Sequence, residues 1–119
     1  FSPIASSLPG LHVCELMPRL AQQAHRFAVL RAMTTRDNAH SSSGYYMMTG
    51  VPHVPANVEN ARPGAPNNWP SLAALVNKVK ARPGGMPASV VLPEHIWNDG
   101  NIPWPGQDAG FLGRSADPW

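Results

Sequence analysis

Proline and glycine limit what this chain can fold into. Its 119 residues include 14 Pro and 10 Gly, about a fifth of the chain against an ordinary ~12%. They crowd into three stretches, residues 52–70, 82–87 and 93–119. Proline removes a backbone donor and glycine adds backbone freedom, so neither suits the interior of a long helix or a central strand. No repeat period links the clusters, which excludes collagen and solenoid architectures. Large irregular loops joined by a few short elements are expected, with roughly two thirds of the chain irregular against ~40% in an average domain.

The stretches between the clusters carry periodic signals. Residues 15–26 predict a helix, because Leu16, Leu20, Ala24 and Phe27 form one apolar stripe and Pro18 falls in the tolerant first turn. Residues 27–33, FAVLRAM, read as a short buried strand. Ser41 to Thr49 predicts a second helix with Gly50 as its stop. Trp69-Pro70-Ser71-Leu72 opens a third, running to about Ala81, with a stripe of Leu72, Leu75, Val76 and Val79. Lys78 and Lys80 favour its C-terminal end, and Arg82 to Gly85 stops it. Residues 88–92, ASVVL, read as a second buried strand ended by Pro93. The order helix, strand, helix, helix, strand predicts an α/β fold with two short parallel strands and covering helices. So few short elements bury too little apolar surface to offset the ordering of 119 residues. The chain is therefore expected to be part of one larger domain, incomplete at both ends.

Composition excludes several functions. With 43% hydrophobic and 13% charged residues the chain is no disordered polyelectrolyte. Its nine Lys and Arg are scattered and the net charge is +2, short of the basic stripe that nucleic acid requires. The single cysteine, Cys14, rules out an internal disulfide and a Cys-rich zinc site. No apolar run reaches the ~18 residues of a membrane span. The sequence opens on Phe1 without an initiator Met, so its true start is expected upstream.

The chemistry concentrates in residues 37–50, DNAHSSSGYYMMTG. A loop feeding a helix presents free N–H groups and a positive dipole end, which suits phosphate, sulfate or an ionised nucleophile. His40 could ligate a metal or move a proton, Ser41 could act as nucleophile, and Asp37 could orient His40 or bind the ion. The alternative is plain: Ser41 or Ser42 caps the helix and His40 is a solvated loop residue. Tyr45 to Met48 reads as a packed helix face. His53 could border the same pocket. Glu94 and His95, at the end of the second expected strand, form a candidate pocket rim. His12 and His25 read as structural, and Trp97, Trp104 and Trp119 as loop anchors or an aromatic platform.

Several segments together resemble one bacterial family. They are LPGLHVCE at 8–15 with MPRL at 17–20, FAVLRAM at 27–33, AH at 39–40 through GYYMMTG at 44–50, NWPSL at 68–72, VVLPE at 90–94 and GQDAGFLG at 106–113. This ordered series resembles the sulfatase-like proteins called domain of unknown function 1501. The resemblance implies a three-layer α/β/α sandwich of alkaline-phosphatase-like type and a relation to metal-dependent sulfate or phosphate ester hydrolases. It also implies a divalent metal in the parent protein, a small anionic ester as substrate, and a periplasmic or extracellular setting. The remaining metal ligands would lie outside this stretch. In sulfatases the helix-start turn carries a Cys/Ser-x-Pro-x-Arg motif. Counting back from Thr49-Gly50 places His40 at the reactive position and Ser41 next, and Ser42 and Gly44 replace the motif's proline and arginine. That departure removes the context formylglycine chemistry needs. The rival expectation is a non-catalytic carbohydrate- or peptide-binding module that uses the Pro/Trp-rich tail.

Overall fold

The structure is a computed structural model that describes residues 1–80, 85–98 and 100–119. Its described strands pair antiparallel in two separate hairpins, which corrects the expected parallel sheet. The chain divides into two compact units, residues 1–34 and 35–119.

In the first unit, β1 (Pro3–Ala5) pairs with β2 (His12–Cys14), Ile4 facing Val13. A helix follows, α1 (Pro18–Gln22), with Pro18 at its start, and then a 3₁₀ turn at Ala24–Arg26. The expected helix over 15–26 is thus shorter, and its covered face differs. Ala21 and Ala24 are buried while Leu16 and Leu20 are exposed. Small alanines let so short a helix approach its hairpin closely, and the bulkier leucines remain outside. Residues 27–33 form no strand, and Val29, Leu30 and Met33 are exposed.

The second unit holds α2 (His40–Thr49), α3 (Leu72–Val79) and a hairpin of β3 (Trp97–Asn98) with β4 (Ile102–Pro103). Gly50 ends α2 in the left-handed region at φ 75°, its N–H donating to the Tyr46 carbonyl. This is the stop the sequence predicts. Ser71 caps α3, accepting from the Ala74 N–H at 3.1 Å. Of the expected stop at Arg82 to Gly85, residues 82–84 lie outside the described residues.

The face that α3 buries is again the small one. Ala74 packs with Ala109 and Ala116 beside Leu112, and buried Asn77 donates to the Asp117 carbonyl and accepts from the Ser89 N–H. Leu72, Leu75 and Val79, the stripe expected to face the core, are exposed. Residues 88–92 form no strand either, although the backbones of Ser89 and Val91 bond to Trp119. A run of β-branched residues becomes a strand only beside a partner strand, and none pairs with it among the described residues.

Candidate functional site

The first turn of α2 decides where the chemistry sits. Ala39 is its N-cap, in extended backbone and without a side-chain cap bond. Neither Ser41 nor Ser42 is a cap, then. Both are buried and serve as anchors for the 58–61 loop. Ser41 Oγ sits against the Val58 carbonyl at 2.9 Å and the Glu59 carbonyl, and accepts from the Ala61 N–H at 3.0 Å. Ser42 Oγ donates to Asp37 Oδ1 at 2.8 Å and accepts from the Val58 N–H at 3.0 Å. A hydroxyl so committed is a strut, and Ser41, only 1% exposed, presents no nucleophile to solvent. Ser43 lies along the wall of a neighbouring cleft.

The anchored loop delivers Glu59 to the helix start. Its carboxylate accepts the His40 backbone N–H at 2.8 Å through Oε2 and meets His40 Nδ1 at 2.7 Å through Oε1. Glu59 thus sets a carboxylate of the protein itself at this helix N-terminus. The His40 N–H is the main reason its carboxyl lies below the ordinary value; slight desolvation opposes it, and the His40 ring and Asn98 add to the lowering. An ionised carboxylate only accepts, so Nδ1 carries a proton and donates it to Glu59, and Nε2 is the ring nitrogen left for other partners. The His40 side chain is three-quarters exposed (75%).

A second element locks this pair. Asn98 on β3 donates through Nδ2 to the Glu59 carbonyl, and its Oδ1 accepts the Trp104 indole N–H at 2.6 Å. Trp104 in turn lies against Gly44, where an added Cβ would fall 2.4 Å from the ring. Gly44 therefore makes room for the tryptophan that braces the site. Together His40, Glu59, Asn60, Trp97, Asn98 and Asn101 line a cleft of about 660 Å³.

The other expected residues are dispersed. Asp37 accepts from Ser42 and from the Ala39 N–H at 3.1 Å, which stabilises the turn before α2. His53 is buried edge-on to Tyr45 and donates from Nδ1 to the Pro55 carbonyl at 2.7 Å. Glu94 borders an apolar groove with Met47, Leu72 and Ile96. His95 pairs with Asp108 at 2.8 Å in another cleft beside Arg114 and Asp117. Of the tail tryptophans, only Trp97 faces the His40 cleft; Trp104 braces it from behind. The sequence reading missed Glu59 and Asn98, and read Trp104 as a loop anchor or platform residue without placing it at this site. Only Gly44, a glycine inside a helix, signalled a close approach.

The family model described as "Protein of unknown function (DUF1501)" matches residues 1–119. The chain belongs to the DUF1501 family. No curated protein and no solved structure matches it. Among the described residues of this DUF1501 chain, no helix is long and apolar enough to cross a membrane.

Asp37 gives the DUF1501 chain an acid dependence. Burial pushes its carboxyl up, but the hydrogen bonds from Ser42, Ala39 and Asn57, with the nearby His53 charge, leave it below the ordinary value. A depressed folded pKa contributes stability that is fully present above the unfolded pKa, and that is lost as pH falls through the lowered value. Asp37→Asn keeps an acceptor oxygen for Ser42 and the Ala39 N–H and removes this pH-linked part. Urea midpoints followed from about pH 7 to about pH 3 should fall less steeply for Asp37→Asn than for wild type.

Proposed function

We propose that this chain is part of an exported sulfatase- or phosphatase-like protein, related to metal-dependent ester hydrolases, with His40 as its proton-handling group. The observation that carries the reading is the His40–Glu59 pair at the start of α2. A carboxylate on Nδ1 fixes the imidazole tautomer and orientation, leaving Nε2 to work toward the cleft. Protonated, Nε2–H donates to the leaving oxygen of a bound sulfate or phosphate ester; neutral, its lone pair accepts a proton from attacking water. Glu59 stays ionised throughout and balances the imidazolium.

Among the described residues no three His, Cys, Asp or Glu converge on a metal position, and Asp37 is committed to Ser42 and Ala39. These residues do not make a metal site on their own, and the chemistry above runs on the imidazole. A divalent metal in the parent protein would need its ligands from the rest of the domain. The exposed apolar stripes on α1 and α3, with Val29, Leu30, Val90 and Leu92, offer surface that the rest of a three-layer domain would cover. A periplasmic or extracellular setting belongs to the same proposal.

The test is turnover of p-nitrophenyl sulfate and p-nitrophenyl phosphate by the intact protein, with and without added Mg²⁺, Ca²⁺ or Zn²⁺. His40→Ala is expected to lower kcat/KM by roughly 10²–10⁴-fold, and Glu59→Gln by roughly 10–100-fold. Absence of turnover under every condition, or an unaltered His40→Ala enzyme, rejects the reading.

A further inference from the structure

The His40 cleft has a recognition chemistry that proton transfer leaves unused. Trp97 forms part of its wall and is 46% exposed. Beside it stand Asn60 and Asn101, with the His40 ring. Asn98 is committed to Glu59 and Trp104. In contrast, Asn60 Nδ2, the Asn101 amide and His40 Nε2 have no hydrogen-bond partner among the described residues. The described lining contains one carboxylate and neither Lys nor Arg.

These groups select a ligand by chemistry. An indole wall wants an apolar face. The Asn60 Nδ2 and the Asn101 amide, without partners among the described residues, and an imidazole want a ligand rich in groups that both donate and accept. A wall without Lys or Arg, holding a carboxylate, gives a free polyanion no partner. A nucleotide could stack on Trp97, yet its phosphates would meet Glu59. A pyranose satisfies every condition, with C–H groups on one face and hydroxyls around its rim. The volume of about 660 Å³ lies within the ~300–1,000 Å³ of small-molecule sites.

We propose that this cleft binds a sugar ring, stacked on Trp97 and hydrogen-bonded by Asn60 and Asn101. The grip on the sugar is a binding property separate from the hydrolase reading.

The experiment is calorimetric titration of the intact protein with cellohexaose, chitohexaose, maltohexaose and adenosine monophosphate. At least one hexasaccharide should bind saturably, with affinity reduced about tenfold or more by Trp97→Ala and unchanged by Trp119→Ala. Asn60→Ala, on an exposed loop, should weaken binding by roughly three- to tenfold and carries the test if Trp97→Ala does not fold. Saturation by none of the three sugars, wild-type affinity in Trp97→Ala or in Asn60→Ala, or a preference for adenosine monophosphate overturns the inference. The two readings separate cleanly. Turnover of the p-nitrophenyl esters without sugar binding removes this inference and leaves the hydrolase; sugar binding without turnover supports it and removes the hydrolase.

Discussion

Tyr45→Ala is expected to lower the stability of the 35–119 unit by about 3–5 kcal/mol, the range for truncating a fully buried aromatic. Tyr45 is 0% exposed, the largest fully buried side chain described. It stands edge-on to His53 at 5.4 Å between ring centroids, and its hydroxyl accepts the Trp69 N–H at 3.3 Å. It thus joins α2, the 53–55 loop and the entry to α3. Removing the ring opens a cavity between three segments that have few other large buried residues to fill it. Tyr45→Phe keeps the ring and leaves the Trp69 N–H without its acceptor, at about 1–3 kcal/mol. Urea unfolding of the intact protein, followed by tryptophan fluorescence, reads both. Equal midpoints for wild type and Tyr45→Ala would show that the ring is no linchpin.

Gly44→Ala is the second large effect, and it acts on the site. Alanine favours a helix interior by about 1 kcal/mol over glycine, so local propensity predicts a stabilised protein. The neighbour reverses the sign. A Cβ at residue 44 would fall 2.4 and 2.5 Å from Trp104 ring atoms, and that ring is held by its bond to Asn98. Overpacking of this kind costs about 1–3 kcal/mol. Moving Trp104 also frees Asn98, and with it the brace on Glu59 and His40. Under the hydrolase proposal, ester turnover should fall by roughly 10–100-fold while the His40–Glu59 residues themselves are untouched. A more stable Gly44→Ala protein with full turnover would show that Trp104 braces nothing.

What was legible in the sequence divides by range. α2 was readable because its signals are local, a polar entry at 37–40 and Gly50 at the end. α3 was readable for the same reason, with Ser71 as its cap. Local periodicity did not tell which face of a helix is covered. In α1 and α3 the leucine stripe lies outside, and the alanines (Ala21, Ala24 and Ala74) make the contact. The expected strands failed for a related reason: FAVLRAM and ASVVL have strand composition, but strands exist in pairs. The actual hairpins escaped notice because each strand is two or three residues long, and Pro3 and Pro103 sit in them. At the site, His40 was marked by its place before a helix. Its partners Glu59 and Asn98 lie 19 and 58 positions further along, in loop and hairpin, where no local pattern points back to it. The run of three serines had a meaning that neither early alternative offered, since Ser41 and Ser42 hold the loop that brings Glu59.

The outward edge of α3 has a practical meaning at the bench. Leu72, Leu75 and Val79 form an exposed greasy rail, and Leu72 also lines the groove with Met47 and Ile96; hydrophobic dyes, detergents and column resins should cling to this edge first. The opposite side of the same helix fastens the unit through Ala74 and Asn77. Because the two sides share no side chain, α3 is editable in halves. In this chain by itself, lysine or glutamate at 72 and 79 would improve handling without disturbing the fastening, and bulk added at 74 would do the reverse; under a covering domain the same charges would be buried and destabilising.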